Sequence, residues 1–294
     1  MASATISTGT QAATSRHAEK SERVLVLEPS RIERNYWGDL WSYRELFLVL
    51  AWRDLAVRYK QTAIGVAWAV IRPVLTMLIF TVLFSRVAKL PTEGHAPYPV
   101  MVFAGMLPWI LFSTILGEAA ASLVSNANLI GKMYFPRLIV PSATILVAVA
   151  DFGITQMLLI AMMFWYGFLP NWHVLLLPLF IVLAVLASLG PALCMTALNV
   201  KFRDFRYIVP FLLQFGLYVS PVGFSSTVVP VKWRLLYSLN PMVGVIDGFR
   251  WCLLDGSTSL YLPGFLLSIG VVIGFLVLGI WYFRKTERTF ADLL

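Results

Sequence analysis

VLLLPLFIVLAVLASLGPALCMTALNV, residues 174–200, carries no charged side chain. A helix needs about 20 such residues to cross a bilayer, because each adds about 1.5 Å and the hydrocarbon is roughly 30 Å thick. Five more long apolar runs lie at about 62–84, 99–124, 138–166, 207–229 and 261–283. Each is long enough to cross. The expected fold is an all-α membrane protein with six transmembrane helices.

Composition agrees. Of the 294 residues, 59% are hydrophobic and only 13% charged, against roughly 25% charged in a soluble domain. A soluble globule of this size cannot hide so much apolar surface, and a disordered chain would be far more polar. The two cysteines, Cys194 and Cys252, fall in different predicted layers and exclude a disulfide scaffold.

Charge orients the spans. The formal net charge is +8. Seventeen of the 23 Lys and Arg residues lie on the side of the two termini, five lie on the other side, and Arg72 sits inside the first run. Cationic loops stay in the cytoplasm, so both termini are expected there. Without a basic face on a soluble fold, no nucleic-acid partner is expected.

Residues 1–37 read as a cytoplasmic tail, partly disordered, with room for one short strand in 23–37. Residues 38–61 read as an amphipathic helix on the membrane surface, with a short buried helix as the alternative because residues 46–52 are apolar all round. Leu48, Trp52, Leu55 and Tyr59 recur on one stripe, and Arg53, Asp54, Lys60 and Gln61 lie largely away from it. The six-helix domain occupies 62–284, and 285–294 form a C-terminal tail. Run five breaks at SPVGFSS (220–226) and leads into a stretch with Pro230, Pro241, Gly244, Gly248 and Gly256. That stretch is too interrupted for one straight span. Two short helices dipping into the outer half of the membrane fit it, with an ordinary outer loop as the alternative.

Soluble-enzyme chemistry finds no support. The one Gly-Lys pair, Gly131-Lys132, is followed by Met133 rather than Ser or Thr, so there is no phosphate-binding loop. The three histidines are far apart, and no nucleophile elbow occurs. No catalytic, metal-binding or cofactor-binding residue is expected. Three charges fall inside spans: Arg72, Glu118 and Asp151. Each is a functional candidate, because an ionisable group in hydrocarbon is costly. The plainer expectation is that Arg72 pairs with Glu118 or reaches the interface while the two acids stay hydrated. Trp68, Trp109, Phe112 and Phe152 are candidate channel aromatics, with an interfacial belt or core packing as the alternative. The short loop SNANLIGKMYFPRLIVP (125–141) sets Met133, Tyr134 and Phe135 between Lys132 and Arg137. Apolar side chains on a watery loop point to a docking site for another protein.

Four segments carry a family resemblance: VRYKQTAIGVAWAVIRPVLTMLIFTVLF (57–84), NLIGKMYFPRLIVP (128–141), ALNVKFRDFRYIVPFLLQFGLYVSPV (197–222) and LNPMVGVIDGFR (239–250). In this order they resemble the permease subunits of ATP-driven O-antigen, capsule and teichoic-acid exporters, a branch of the type-2 ABC exporters of the bacterial inner membrane. The resemblance implies a homodimer around one channel and two copies of a separate ATP-binding subunit, which would hold the ATP and Mg. It implies a polysaccharide substrate on a polyprenyl diphosphate lipid. It makes 126–137 the coupling loop, with Lys132, Met133, Tyr134, Phe135, Pro136 and Arg137, and 224–256 an outer gate segment. Around that segment stand Pro221, Pro230, Trp233, Pro241 and Arg250. It also suggests that Arg53, Arg58 and Lys60 face lipid phosphates. Three rivals stand beside it: a type-2 exporter of a drug or simple lipid, an ion-coupled carrier, and a membrane glycosyltransferase.

Overall fold

The computed structural model describes residues 36–60, 65–133, 135–168, 170–254 and 260–290. No strand occurs among them. The tail to residue 35, including most of the expected strand, lies outside the described residues, and so does Tyr134. Helix α1 (Tyr36–Ser42) runs almost directly into α2 (Arg44–Lys60); α3 (Gly65–Phe80) follows and continues in a wider turn over Thr81–Val87. Next come α4 (Tyr98–Ser125), the single turn α5 (Ala127–Ile130), α6 (Ile139–Trp165), α7 (Leu177–Lys201) and α8 (Phe205–Val219). The chain ends with α9 (Val231–Tyr237), α10 (Pro241–Leu253) and α11 (Leu262–Glu287).

Among the described residues, five stretches are helical, long and apolar enough to cross a membrane: Ala67–Val87, Tyr98–Ser125, Ile139–Trp165, Trp172–Lys201 and Leu262–Glu287. Run five departs from expectation. Its helix, α8, has 15 residues, about 22 Å of rise and short of a straight crossing. It stops because Ser220 turns extended, with ψ at 150°, and Pro221 has no N–H to continue the ladder.

Helix α4 is the core. Of its most apolar window 78% is buried, against 33% or less in the other four long helices. It packs against α6, α7, α10, α8 and α3. Helices α7 and α11 cross closely: a Cβ on Gly279 would strike the carbonyl of Gly190, and one on Gly190 would strike the backbone at Phe275. Small residues at such a crossing let two helices touch backbone to backbone.

Two expectations change in detail. Helix α2 lies against α6 with Leu50 and Ala51 buried, while Leu48, Val49, Trp52 and Val57 are exposed. Its apolar residues therefore surround the helix, in line with the all-round apolar stretch at 46–52, and they do not sharpen into one stripe. The C-terminal tail does not begin at 285, because α11 runs to Glu287 and Phe290 is buried edge-on against the Phe283 ring.

The segment after α8 forms short helices. Pro230 and Pro241 stand at the starts of α9 and α10, where a missing N–H costs nothing. Most of α10 is buried, with Val245, Ile246, Phe249 and Cys252 fully enclosed.

Candidate functional site

The two ends of α4 carry different constellations. At its N-terminal end lies the irregular backbone that follows α8. Carbonyls there have no helix partner, and leaving one unpaired in an apolar setting costs several kcal/mol. Side chains satisfy them one after another. Arg250, fully buried in the last turn of α10, donates from Nη2 to the Val222 carbonyl at 2.8 Å and from Nη1 to the Phe224 carbonyl at 2.7 Å. Its Nε faces the Met101 carbonyl of α4 at 3.4 Å. Tyr98 donates to the Gly223 carbonyl between them at 2.9 Å, and Tyr237 to that of Val219 at 2.8 Å. Asn240 donates to the Ser220 hydroxyl at 2.9 Å. The guanidinium fits against α4 because residue 105 is Gly: a Cβ there would stand 2.6 Å from Nη2. Its charge is balanced by Glu93, whose Oε1 lies 3.5 Å from Nη1. Glu93 is itself buried.

Of the sequence candidates, Arg250 builds this cage, and Pro221 is buried immediately before Val222. Pro230 and Trp233 are exposed on the α9 side, and Pro241 opens α10 outside the cage. Glu93, Tyr98, Tyr237 and Asn240 were not foreseen. The available signal was Arg250 itself, since a lone guanidinium in an apolar helix requires a carboxylate and carbonyls nearby.

Asp247, one turn before Arg250, lines a small pocket with Ser226, Arg234, Tyr237 and Tyr261. Burial pushes its carboxyl up to about 7, although a hydrogen bond from Ser226 and the charges of Arg250 and Arg234 pull the other way. The folded state therefore holds this proton more tightly than the unfolded chain does. By linkage, the stabilising contribution is full below the ordinary carboxylate range and is lost as pH rises toward 7. Asp247→Asn should flatten that decline, as read by thermal unfolding between pH 4 and 8.

At the other end of α4, two of the three ionisable residues expected within spans, Glu118 and Asp151, come together with α2. Arg58 lies 3.0 Å from Asp151 on α6 and 3.6 Å from Glu118 on α4. Tyr59 donates to Asp151, and burial, together with that bond, pushes its phenol up to about 12. Arg53 bridges Asp54 and, at 2.8 Å, Asn126 at the entrance of α5. The predicted Arg72–Glu118 pair does not form: Arg72 is exposed on α3, and Glu118 faces Arg58. Two of the three presumed phosphate-facing cations, Arg53 and Arg58, thus hold protein partners, and Lys60 is exposed.

The loop beyond α5 also differs from expectation. Lys132 and Met133 are exposed, but Phe135 and Pro136 are buried. Phe135 anchors the loop; it is not an outward docking contact. Arg137 closes the loop on the end of α11: its backbone N–H donates to the Glu287 carboxylate at 2.8 Å and its guanidinium to the Glu287 carbonyl.

Three of the candidate channel aromatics are buried within the chain. Trp109 packs on Phe112 with ring centroids 5.3 Å apart, and Phe152 meets Phe249 edge-on. They fill the core. A Cβ on Gly216 would stand 2.6 Å from the Trp109 ring, so Trp109 seats α8 against α4. Trp68 alone of the four is exposed. Tyr207, Phe211, Phe215 and Tyr218 form an exposed aromatic stripe along α8 that was overlooked, although its spacing of four, four and three is visible in the sequence.

Residues 45–254 match the model of the ABC-2 type transporter family. The chain belongs to that family. Among relatives of this ABC-2 chain, the O-antigen export system permease protein RfbA of Myxococcus xanthus is 31% identical over 214 residues, 72% of this chain and 81% of the relative. The protein of the same name from Klebsiella pneumoniae is 27% identical over 254 residues, 85% of this chain and 95% of the relative. The polysialic acid transport protein KpsM of Escherichia coli is 25% identical over 215 residues, covering 70% and 80%. The matched region contains both constellations at the ends of α4, apart from Tyr261 and Glu287.

Proposed function

We propose that this ABC-2 protein is the transmembrane subunit of an ATP-driven polysaccharide exporter in a bacterial inner membrane. The observation that carries this reading is the similarity to proteins named O-antigen export permeases, at 27–31% identity over 72–85% of the chain. The finer reading has both termini in the cytoplasm and two copies of the chain around one channel. Two copies of an ATP-binding subunit dock below, and the cargo is an O-antigen-like glycan on polyprenyl diphosphate. ATP and Mg belong to the partner, and hydrolysis there supplies the driving free energy.

In this scheme the partner meets Lys132 and Met133. Closure of the ATP-binding dimer moves the 126–137 loop. That motion reaches α2 through Arg53 and Asn126, and α11 through Arg137 and Glu287. Helix α8, with α4 and α7 behind it, faces the second copy, and the aromatic stripe of α8 lines the passage, where ring faces suit sugar stacking. The segment after α8 closes the outer end. The test is genetic: cells lacking the chain should make the glycan yet show none outside to a lectin, and the plasmid-borne chain should restore it.

An ion-coupled carrier would need Glu118 and Asp151 as ion-binding groups. Both instead pair with Arg58: Glu118 does so at the surface, where such pairs contribute about 1 kcal/mol or less, and Asp151 is largely buried and also accepts from Tyr59. Glu118→Gln should lower thermal stability slightly and Asp151→Asn more, because Asp151 is the more buried of the two, and both should leave glycan export in place. Abolished export in well-folded variants would favour the carrier.

A further inference from the structure

The cage around residues 222–224 holds more than a satisfied loop. Glu93 lies in the connection between the α3 turn and α4, not in the segment that follows α8. Its backbone N–H reaches the Met101 sulfur at 3.3 Å. Its Oε1 is 3.5 Å from Arg250, beyond a short charged hydrogen bond. Its Oε2 is buried with no hydrogen-bond partner. Buried carboxylate oxygens are ordinarily paired, so an orphan one in a folded site calls for a reason. Arg250 meanwhile fixes both Val222 and Phe224, with Tyr98 on the carbonyl between them. One side chain therefore ties α10, α4 and the break after α8 into a block, and Glu93 is the carboxylate joining the 88–97 connection to it.

We propose that Arg250 is a positioning residue for the outer gate, and that Glu93 is the release side of the clasp. This rests on the reading above that the segment after α8 closes the channel. Arg250 holds Val222–Phe224 against α4 in the closed arrangement. Glu93 adds a weak, incompletely satisfied bond whose loss on opening gives its carboxylate access to water. The first outer connection, not only the segment after α8, then sets how readily the channel opens. A residue whose role is purely structural would change stability without changing the closed-to-open balance.

The test uses the full chain with its ATP-binding partner in vesicles loaded with carboxyfluorescein, in the absence of ATP. Glu93→Gln keeps the size of the side chain and removes its charge. It should speed dye release roughly tenfold, as expected when one charged tie is lost from a two-state gate. Arg250→Lys, which keeps the charge but not the fork to two carbonyls, should leak as well. Gly223→Val serves as a wedge, since a Cβ at 223 would strike the Phe84 ring. It should release dye whatever Glu93 does. Tight Glu93→Gln vesicles beside leaking Gly223→Val vesicles would overturn the clasp and leave the gate. If all three variants are tight and folded, the segment is not the gate and the clasp falls with it.

Discussion

Arg250→Met should be the most damaging single substitution in the chain. Met matches the length and apolar character of the buried stem, so the loss isolates the guanidinium. Without it Glu93 is a buried carboxylate with no cation, and the carbonyls of Val222 and Phe224 lose their donors. Removing one partner of a buried ion pair costs about 3–5 kcal/mol, a large share of the stability of any domain. Thermal unfolding in nanodiscs should show a large drop, with little folded protein recovered at growth temperature. The Glu93→Gln, Arg250→Met double variant should recover part of the loss, because its buried carboxylate is neutralised. An unchanged melting temperature for Arg250→Met would show that the cage holds nothing together.

The second large effect concerns the loop after α5. Lys132→Glu with Met133→Asp changes two exposed side chains and leaves the buried anchors Phe135 and Pro136 in place. Exposed positions tolerate such changes within about 0.5 kcal/mol of stability. Two central contacts of an interface, by contrast, carry much of its binding free energy. Affinity for the ATP-binding subunit should fall roughly 100-fold, measured by co-purification and by titration in nanodiscs, while the melting temperature stays put. Phe135→Asp is a poorer probe. It buries a charge, so it removes the loop along with any contact the loop makes. Unaltered binding in the double variant would place the docking surface elsewhere.

The membrane class and the five long helices were legible because uninterrupted apolar runs such as 174–200 admit one physical reading. The break after run five was visible at Ser220-Pro221, but the shortness of α8 was not, since Val222 and Val229 continue the apolar pattern beyond the last helical hydrogen bond. The loop was legible as a feature and misread in detail. Met133 and Phe135 look alike in sequence, and only packing shows that one faces out and the other in. Pairings were the hardest part. Arg58 with Asp151, and Arg250 with Glu93, join residues separated by 93 and 157 positions, and no local periodicity connects such partners. Among the aromatics, a single ring such as Trp109 or Phe152 does not say whether it faces core or passage, whereas the period of the α8 set marks one face.

The most direct test of the exporter reading is transport in a closed system. Inverted vesicles containing this chain and its ATP-binding subunit would be given the polyprenyl-diphosphate-linked glycan on their outer, cytoplasm-equivalent face. Protection of the glycan from an added glycosidase would be followed over time. Protection should appear only with both proteins and hydrolysable ATP, and should vanish in the Lys132→Glu, Met133→Asp variant. Protection that needs no ATP-binding subunit and follows an imposed proton gradient would contradict it.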